Sequence, residues 1–240
     1  NAEDRLECVD LALPPPEPYR LSLEVVYEDD WIAVVNKPSG LVVSGNQFRT
    51  LENALLHNLL SSKQPDALRA FRTAHRLDAP TSGLVLIAKT ASVRVELGKL
   101  FEERRIHKRY QAIVIGKTAA VGDITSPIEQ KEAYSKYECV KCVPSLRNQY
   151  LSLLNLYPTT GRTHQLRIHL ASIGHPIMGD KQYGKAGEIM KHKGLFLAAV
   201  ALEFQHPITT EHLQITIDMP HKFKSLLTRE ERRWHNWQRK

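Results

Sequence analysis

Hydrophobic and polar positions fall into short runs whose period changes along the chain. Residues 23–28 and 31–35 are rich in Val, Ile and Trp and predict two strands joined by the acidic turn Asp29-Asp30. Asn36-Lys37-Pro38-Ser39-Gly40 then turns the chain. Leu51, Ala54, Leu55 and Leu59 switch to helical spacing and predict a helix over 51–60. Leu84-Val85-Leu86-Ile87-Ala88 is a continuous apolar run, the pattern of a strand buried on both faces. Helical spacing returns over 91–105, with Val93, Leu97, Leu100 and Phe101 sharing a face. Further strands are predicted over 108–115, 134–143, 150–157, 195–204 and 212–218. Further helices are predicted over 163–173, stopped by Gly174, and over 225–239.

Strands and helices mix without regular alternation, which favours an α+β fold over a doubly wound one. The 240 residues can bury one large core. Pro14-Pro15-Pro16-Glu17-Pro18 closes a stiff, extended tail over 1–18, the expected remnant of an upstream linker or domain. One domain is expected over 19–222, with a basic helix over 223–240 as part of it. No run approaches the length that spans a bilayer, and Asn1-Ala2-Glu3-Asp4-Arg5 lacks a signal or transit pattern. Dinucleotide, P-loop, zincin and nucleophile-elbow motifs are all missing.

Lys and Arg total 33 against 26 Asp and Glu, giving +7, a balance that suits a polyanionic partner. The three cysteines are Cys8, Cys139 and Cys142. The last two form C-x-x-C, but strand spacing places them on opposite faces, and no second pair completes a zinc site. Such cysteine usage fits a reducing compartment, and the cytoplasm is expected.

Three segments carry chemistry. In His75-Arg76-Leu77-Asp78, an extended backbone points Arg76 and Asp78 one way, His75 and Leu77 the other. Pro80, Thr81, Ser82 and Gly83 suit a turn that sets this acid–cation pair at the rim of the apolar strand. In the second segment, Tyr110 shares a strand face with the small Ala112, which leaves room for a planar ligand. The third is Thr160-Gly161-Arg162-Thr163-His164-Gln165-Leu166-Arg167-Ile168-His169. There Leu166, Leu170 and Ile173 make an apolar stripe, with His164, Arg167 and Ala171 on another face. Arg162 sits at the positive helix end, where phosphate is welcome. The second and third segments alone have plainer explanations: a core or boundary Tyr, and a solvated basic face.

Together, His-Arg-Leu-Asp-x-x-Thr-Ser-Gly, Lys-x-Tyr-x-Ala and Thr-Gly-Arg-Thr-His-Gln-Leu-Arg-x-His closely resemble the ordered pattern of the RluA-type pseudouridine synthases. Asn36-Lys37-Pro38-Ser39-Gly40 and Gly174-His175-Pro176-Ile177-Met178-Gly179-Asp180 agree with it, and the likeness runs from about Leu23 to Pro220. It implies a mixed, mainly antiparallel central sheet flanked by helices and loops, with a cleft across the sheet. It also implies that uridine in rRNA or tRNA is isomerised to pseudouridine without cofactor or metal. Asp78 then matches the essential catalytic acid. Arg76 matches the residue that fills the space left by the extruded base, and Tyr110 the ring that stacks on the base and is a candidate to take its C5 proton. Arg167 matches the partner of the acid. His75, Thr81, Arg162, His164 and Lys108 join Arg76 as expected RNA contacts, and Arg104, Arg105, Arg109 and Lys181 as further phosphate contacts.

Many relatives carry an S4 domain before this region; the stretch over 1–18 is too short for one. The protein is expected to be a monomer that touches no membrane. The alternative is a non-catalytic RNA-binding or RNA-folding module on the same scaffold, which has no need of Asp78, Tyr110 and Arg167 together. A hydrolase with paired carboxylates lacks its second acid beside Asp78.

Overall fold

The computed structural model describes residues 17–184 and 194–239. Of the expected tail, residues 1–16 lie outside it, Cys8 among them. The elements run β1 (Glu24–Glu28), β2 (Ile32–Lys37), α1 (Leu51–Asn58), β3 (Ala67–Thr73), β4 (Ser82–Thr90), α2 (Ala91–Glu102) and β5 (His107–Ile115). They continue with β6 (Val121–Ile124), β7 (Ser135–Ser145), β8 (Gln149–Pro158), α3 (Gln165–Ser172), β9 (Leu197–Gln205), β10 (His212–Thr216) and α4 (His221–Gln238). The strands join in one sheet of order β1-β2-β4-β9-β5-β8-β7-β6, with β3 added to β4 and β10 to β9.

Pairings between these strands are antiparallel apart from β4 with β9. That parallel contact is two residues long, Ser82 opposite Ala198 and Gly83 opposite Ala199. The fold is therefore α+β, as the irregular mixing of strand and helix patterns implied, with the mixed, mostly antiparallel sheet that the family resemblance implied.

The apolar run in β4 is buried on both faces. Leu84, Leu86 and Ala88 pack with Val93, Leu97 and Leu100 of α2 on one side. Val85 and Ile87 join Leu51 and Leu55 of α1 on the other. Each such side chain contributes roughly 1.5–3 kcal/mol by leaving water. Thr50 and Thr90 start the two helices, their hydroxyls accepting the N–H groups of Asn53 and Val93. Phe223, Leu226 and Leu227 anchor α4 in the larger core. Trp234 and Trp237 of α4 lie against each other with ring centroids 5.3 Å apart and planes tilted by 39°, Trp237 more than half exposed.

Two expectations are corrected. Ile173 lies beyond α3 and is exposed, so the apolar stripe of that helix ends at Leu170. A β-bulge between Cys139 and Lys141 shifts the β7 register, so Cys139 faces Leu154 and Cys142 faces Ser152. Leu154 and Ser152 are two apart in β8, which puts both cysteines on the same face. Among the described residues no helix is long and apolar enough to cross a membrane.

Candidate active site

The short parallel contact of β4 with β9 brings the first two chemical segments together. Gly83 lies opposite Ala199, and Ala199 on its other side lies opposite Tyr110 of β5. The loop that carries Asp78 thus ends one strand away from Tyr110. Gly83 has φ +115°, and a Cβ there would overlap the Ala199 carbonyl oxygen and come within 2.6 Å of its nitrogen. Only glycine permits this approach.

The loop itself is irregular rather than a strand, and the turn at 36–41 holds it from behind. Thr81 N–H donates to the Asp78 carbonyl at 3.0 Å, closing a turn around Pro80. Gly40 N–H donates to the Ala79 carbonyl at 2.7 Å, and Ser39 Oγ to that of Pro80 at 2.7 Å. Lys37 is fully buried, and its Nζ donates to the carbonyls of Leu41, Pro38 and Ala79 at 2.7, 3.0 and 3.2 Å. Burial pulls its ammonium down to about 8, with the Asp78 charge acting in the opposite direction.

Helix α3 supplies the third segment through three of its faces. Leu166 and Leu170 enter the core. Gln165 and His169, one turn apart, bind the β7 ribbon: Gln165 Nε2 donates to Tyr134 O and Ser135 Oγ, and His169 Nδ1 lies 2.9 Å from Ser135 Oγ. Arg167 is left facing the Asp78 loop. Its Nη1 donates to Asp78 Oδ2 at 3.2 Å. Its Nε and Nη2 donate to the two oxygens of buried Asp180 at 2.7 and 2.9 Å. Burial opposes the charge of Arg167, but its hydrogen bonds to Asp180 and Asp78 win and hold it above the usual guanidinium value. Burial likewise pushes Asp180 up, and Arg167 with the Tyr183 and Gln182 N–H groups more than offsets this, holding the carboxyl below its usual value.

These pieces enclose a cleft of about 500 Å³. Asp78, Tyr110, Arg167, Arg76, His75, Thr81, Lys108, Arg162 and His164 all line it, so the expected site residues meet. Burial, with the Asp78 charge adding to it, pushes the Tyr110 phenol well above its usual value and keeps it neutral. Thr81 is buried, and its Oγ1 has no hydrogen-bond partner. His164 Nε2 lies 3.8 Å from Asp78 Oδ1, and its Nδ1 is 3.0 Å from Tyr183 Oη.

Not every expected contact is free for RNA. His75 Nε2 accepts the Leu86 N–H at 3.1 Å, and its ring packs on Phe101. Burial pushes that imidazole down to about 3, so the side chain serves to tie the loop to β4. Arg104 lines the cleft, and Lys181 lines a hollow on the far side of the Asp78 loop. Arg105 is instead engaged with Glu103 and Gln205. Arg109 neighbours Tyr110 in β5 and therefore projects from the opposite sheet face. Lys37, Asp180 and Tyr183 were given no role in the sequence, although Lys37 and Asp180 lie in the two stretches that agreed with the family pattern. Among the described residues no group of three or more His, Cys, Asp or Glu side chains is placed to hold a metal ion.

Residues 31–172 match the RNA pseudouridylate synthase family. The ribosomal large subunit pseudouridine synthase D of Zymomonas mobilis is 34% identical over 255 residues, covering 92% of this chain and 78% of that protein. The dual-specificity RNA pseudouridine synthase RluA of Haemophilus influenzae is 36% identical over 215 residues, covering 82% of this chain and 92% of that one. The human RNA pseudouridylate synthase domain containing 1 superposes with a TM-score of 0.68 at 26% identity, covering 83% of this chain and 84% of its own. The ordered motifs, the shared sheet and these relatives together make the chain a member of the RluA-type branch of the RNA pseudouridylate synthases.

Proposed function

We propose that this protein isomerises uridine in a structured rRNA or tRNA to pseudouridine, with Asp78 as the essential acid and no cofactor. The observation that carries this is the hydrogen bond from Arg167 to Asp78 in a cleft that also holds the Tyr110 ring. Pseudouridine formation breaks the N1–C1′ bond and makes C5–C1′, with no atom or electron gained. An anionic carboxylate beside the ribose can act on C1′ or on a sugar proton. Arg167 keeps one oxygen of Asp78 fixed, and Asp180 keeps Arg167 fixed. A base in folded RNA is out of reach until extruded, at a cost of a few kcal/mol. Arg76, exposed at the cleft, is placed to stack in the vacated space, and Tyr110 to receive the base. The unpartnered Thr81 hydroxyl is a ready contact for the nucleotide. Arg162, Lys108 and Arg104 supply phosphate contacts that give affinity rather than sequence choice.

The catalytic unit spans 19–222, the C-terminal helix is part of it, and it works as a monomer in the cytoplasm. Asp78→Asn is expected to fold normally and to lose at least about 10³-fold in turnover. Release of tritium from 5-tritiated uridine RNA measures this. A wild-type rate in that variant would mean that Asp78 is not the catalytic acid.

A further inference from the structure

A second pocket lies away from the catalytic cleft, between α4 and the turn that joins β7 to β8. It holds about 400 Å³, at the small end of the range for ligand sites. Strand β8 connects the two places, with Leu151 lining this pocket and Pro158 the cleft. At about 3.3 Å per residue the strand sets them about 23 Å apart.

Both walls of the pocket are held in place. Leu226, Glu230, Arg233 and Trp237 recur at helical spacing and share one face of α4. Opposite them stands the turn Leu146-Arg147-Asn148. Ser145 ties the two walls together. Its hydroxyl donates to Glu230 Oε2 at 2.8 Å and accepts the Asn148 N–H at 3.3 Å. Leu151, Met178 and Leu226 give the pocket a buried apolar lining.

We propose that this pocket binds an unpaired base of the RNA substrate, stacked on the Trp237 indole. This rests on the reading of the protein as an RNA-modifying enzyme. Three features of the place favour a nucleotide. Trp237 is more than half exposed, and Trp234 lies against it, so a large aromatic ring is held at the surface where a base can stack. The charge is positive. Arg147, Arg232, Arg233 and Arg239 are exposed. Both acids of α4 are engaged, Glu230 buried against Ser145 and Glu231 paired with Lys141 at 2.7 Å. The arginines are thus available to the phosphates on either side of a bound base. The third feature is Asn148, whose side-chain oxygen is buried and accepts no hydrogen bond. An N–H on a base edge supplies the missing donor.

Other occupants fit less well. A bilayer needs a free apolar face, and Phe223 and Leu227 of α4 already lie in the core. A protein partner could place an apolar side chain here. Nucleic-acid interfaces, however, are much more positive than protein interfaces, and the arginines decide for RNA.

Trp237→Ala tests this on the full chain. The residue is exposed, so the melting temperature is expected within about 2 °C of wild type. Two probes are titrated at fixed salt: labelled total rRNA and a ten-nucleotide oligoadenylate. Affinity for both is expected to fall about 5–150-fold, the range for losing one base stacked on an aromatic ring. Trp237→Phe keeps a ring and is expected to recover most of that loss. Ultraviolet crosslinking of the rRNA to wild type is expected to leave a nucleotide on the tryptic peptide 234–239. Equal losses in the Phe and Ala variants overturn the proposal. So does an Ala variant within about twofold of wild type, which assigns the pocket to a protein partner. Tritium release from 5-tritiated uridine RNA, measured alongside, distinguishes the failures. An active wild type whose affinity is indifferent to Trp237→Ala removes this proposal alone. A wild type that releases no tritium from any RNA removes the reading as a synthase, and this proposal with it.

Discussion

Tyr110 offers the cleft a ring and a hydroxyl, and substitution separates the two. Tyr110→Phe is expected to retain RNA binding and to lose most turnover. Tyr110→Ala gives up base stacking worth about 1–3 kcal/mol and should be slower by that much again. Single-turnover rates on one RNA compare the three, and unchanged turnover in the Phe variant would exclude a proton-transfer role for the hydroxyl while leaving stacking in place. His75 makes a different prediction. Its imidazole is neutral in the folded protein, held near pKa 3 by burial, and near 6.5 when unfolded. Between those values the unfolded chain binds the extra proton, so stability rises with pH across that window and is complete above it. The slope contributed is at most about 1.4 kcal/mol per pH unit, and partial solvent contact of the side chain reduces it. Urea unfolding from pH 4 to 7 should show a shallower slope in His75→Gln than in wild type; identical slopes would contradict a buried neutral His75. Asp78, Tyr110 and Arg167 were legible in the sequence because three ordered motifs resemble the family pattern, and each residue falls on a marked position of it. Lys37, Asp180 and Tyr183 were not, because each acts through atoms far away in sequence: Lys37 on the Ala79 carbonyl, Asp180 on Arg167, Tyr183 on His164.

Among elements, the two-residue parallel contact of β4 with β9 has the largest consequence for its size. It seats the end of the Asp78 loop beside Ala199, which already neighbours Tyr110. Gly83→Ala should therefore cost stability and geometry together. Positive φ and overlap with the Ala199 backbone predict a loss of roughly 2–5 kcal/mol in urea unfolding and a fall in kcat. A variant within about 0.5 kcal/mol of wild type would show that the strands separate there at little cost. The elements that the sequence revealed are those with a strong period: β4 as an unbroken apolar run, α2 with Val93, Leu97 and Leu100 at helical spacing. β3 escaped because Phe71 is its only buried residue, so it has no alternation to read. The same-face placement of Cys139 and Cys142 escaped because a bulge adds one residue to a strand without any mark in the hydrophobic pattern. Helix α3 was placed within two residues at its start. The reason its arginine points at Asp78 lies in Gln165 and His169, whose partners sit on β7.

At the scale of the whole molecule, part of the excess of +7 lies at the cleft. The cleft is lined by five cations, Arg76, Arg104, Lys108, Arg162 and Arg167, against Asp78 and Glu102. Arg167 is taken up by two carboxylates, which leaves the others to meet phosphates. Each phosphate neutralised releases condensed counterions, so log K for RNA should fall linearly with log salt, by about 0.7–0.9 per contact. Removing one contact should reduce that slope by about one unit and weaken all RNA sequences alike. Arg162→Ala is the suitable variant, because its guanidinium touches the cleft wall through Nε on the Glu132 carbonyl and not through Asp78. Binding titrations from low to moderate salt should show the shallower slope, with the loss appearing in KM. A slope unchanged by Arg162→Ala would place the phosphate track elsewhere on the surface. A wild-type slope near zero would mean that the positive balance of this chain serves solubility and not RNA.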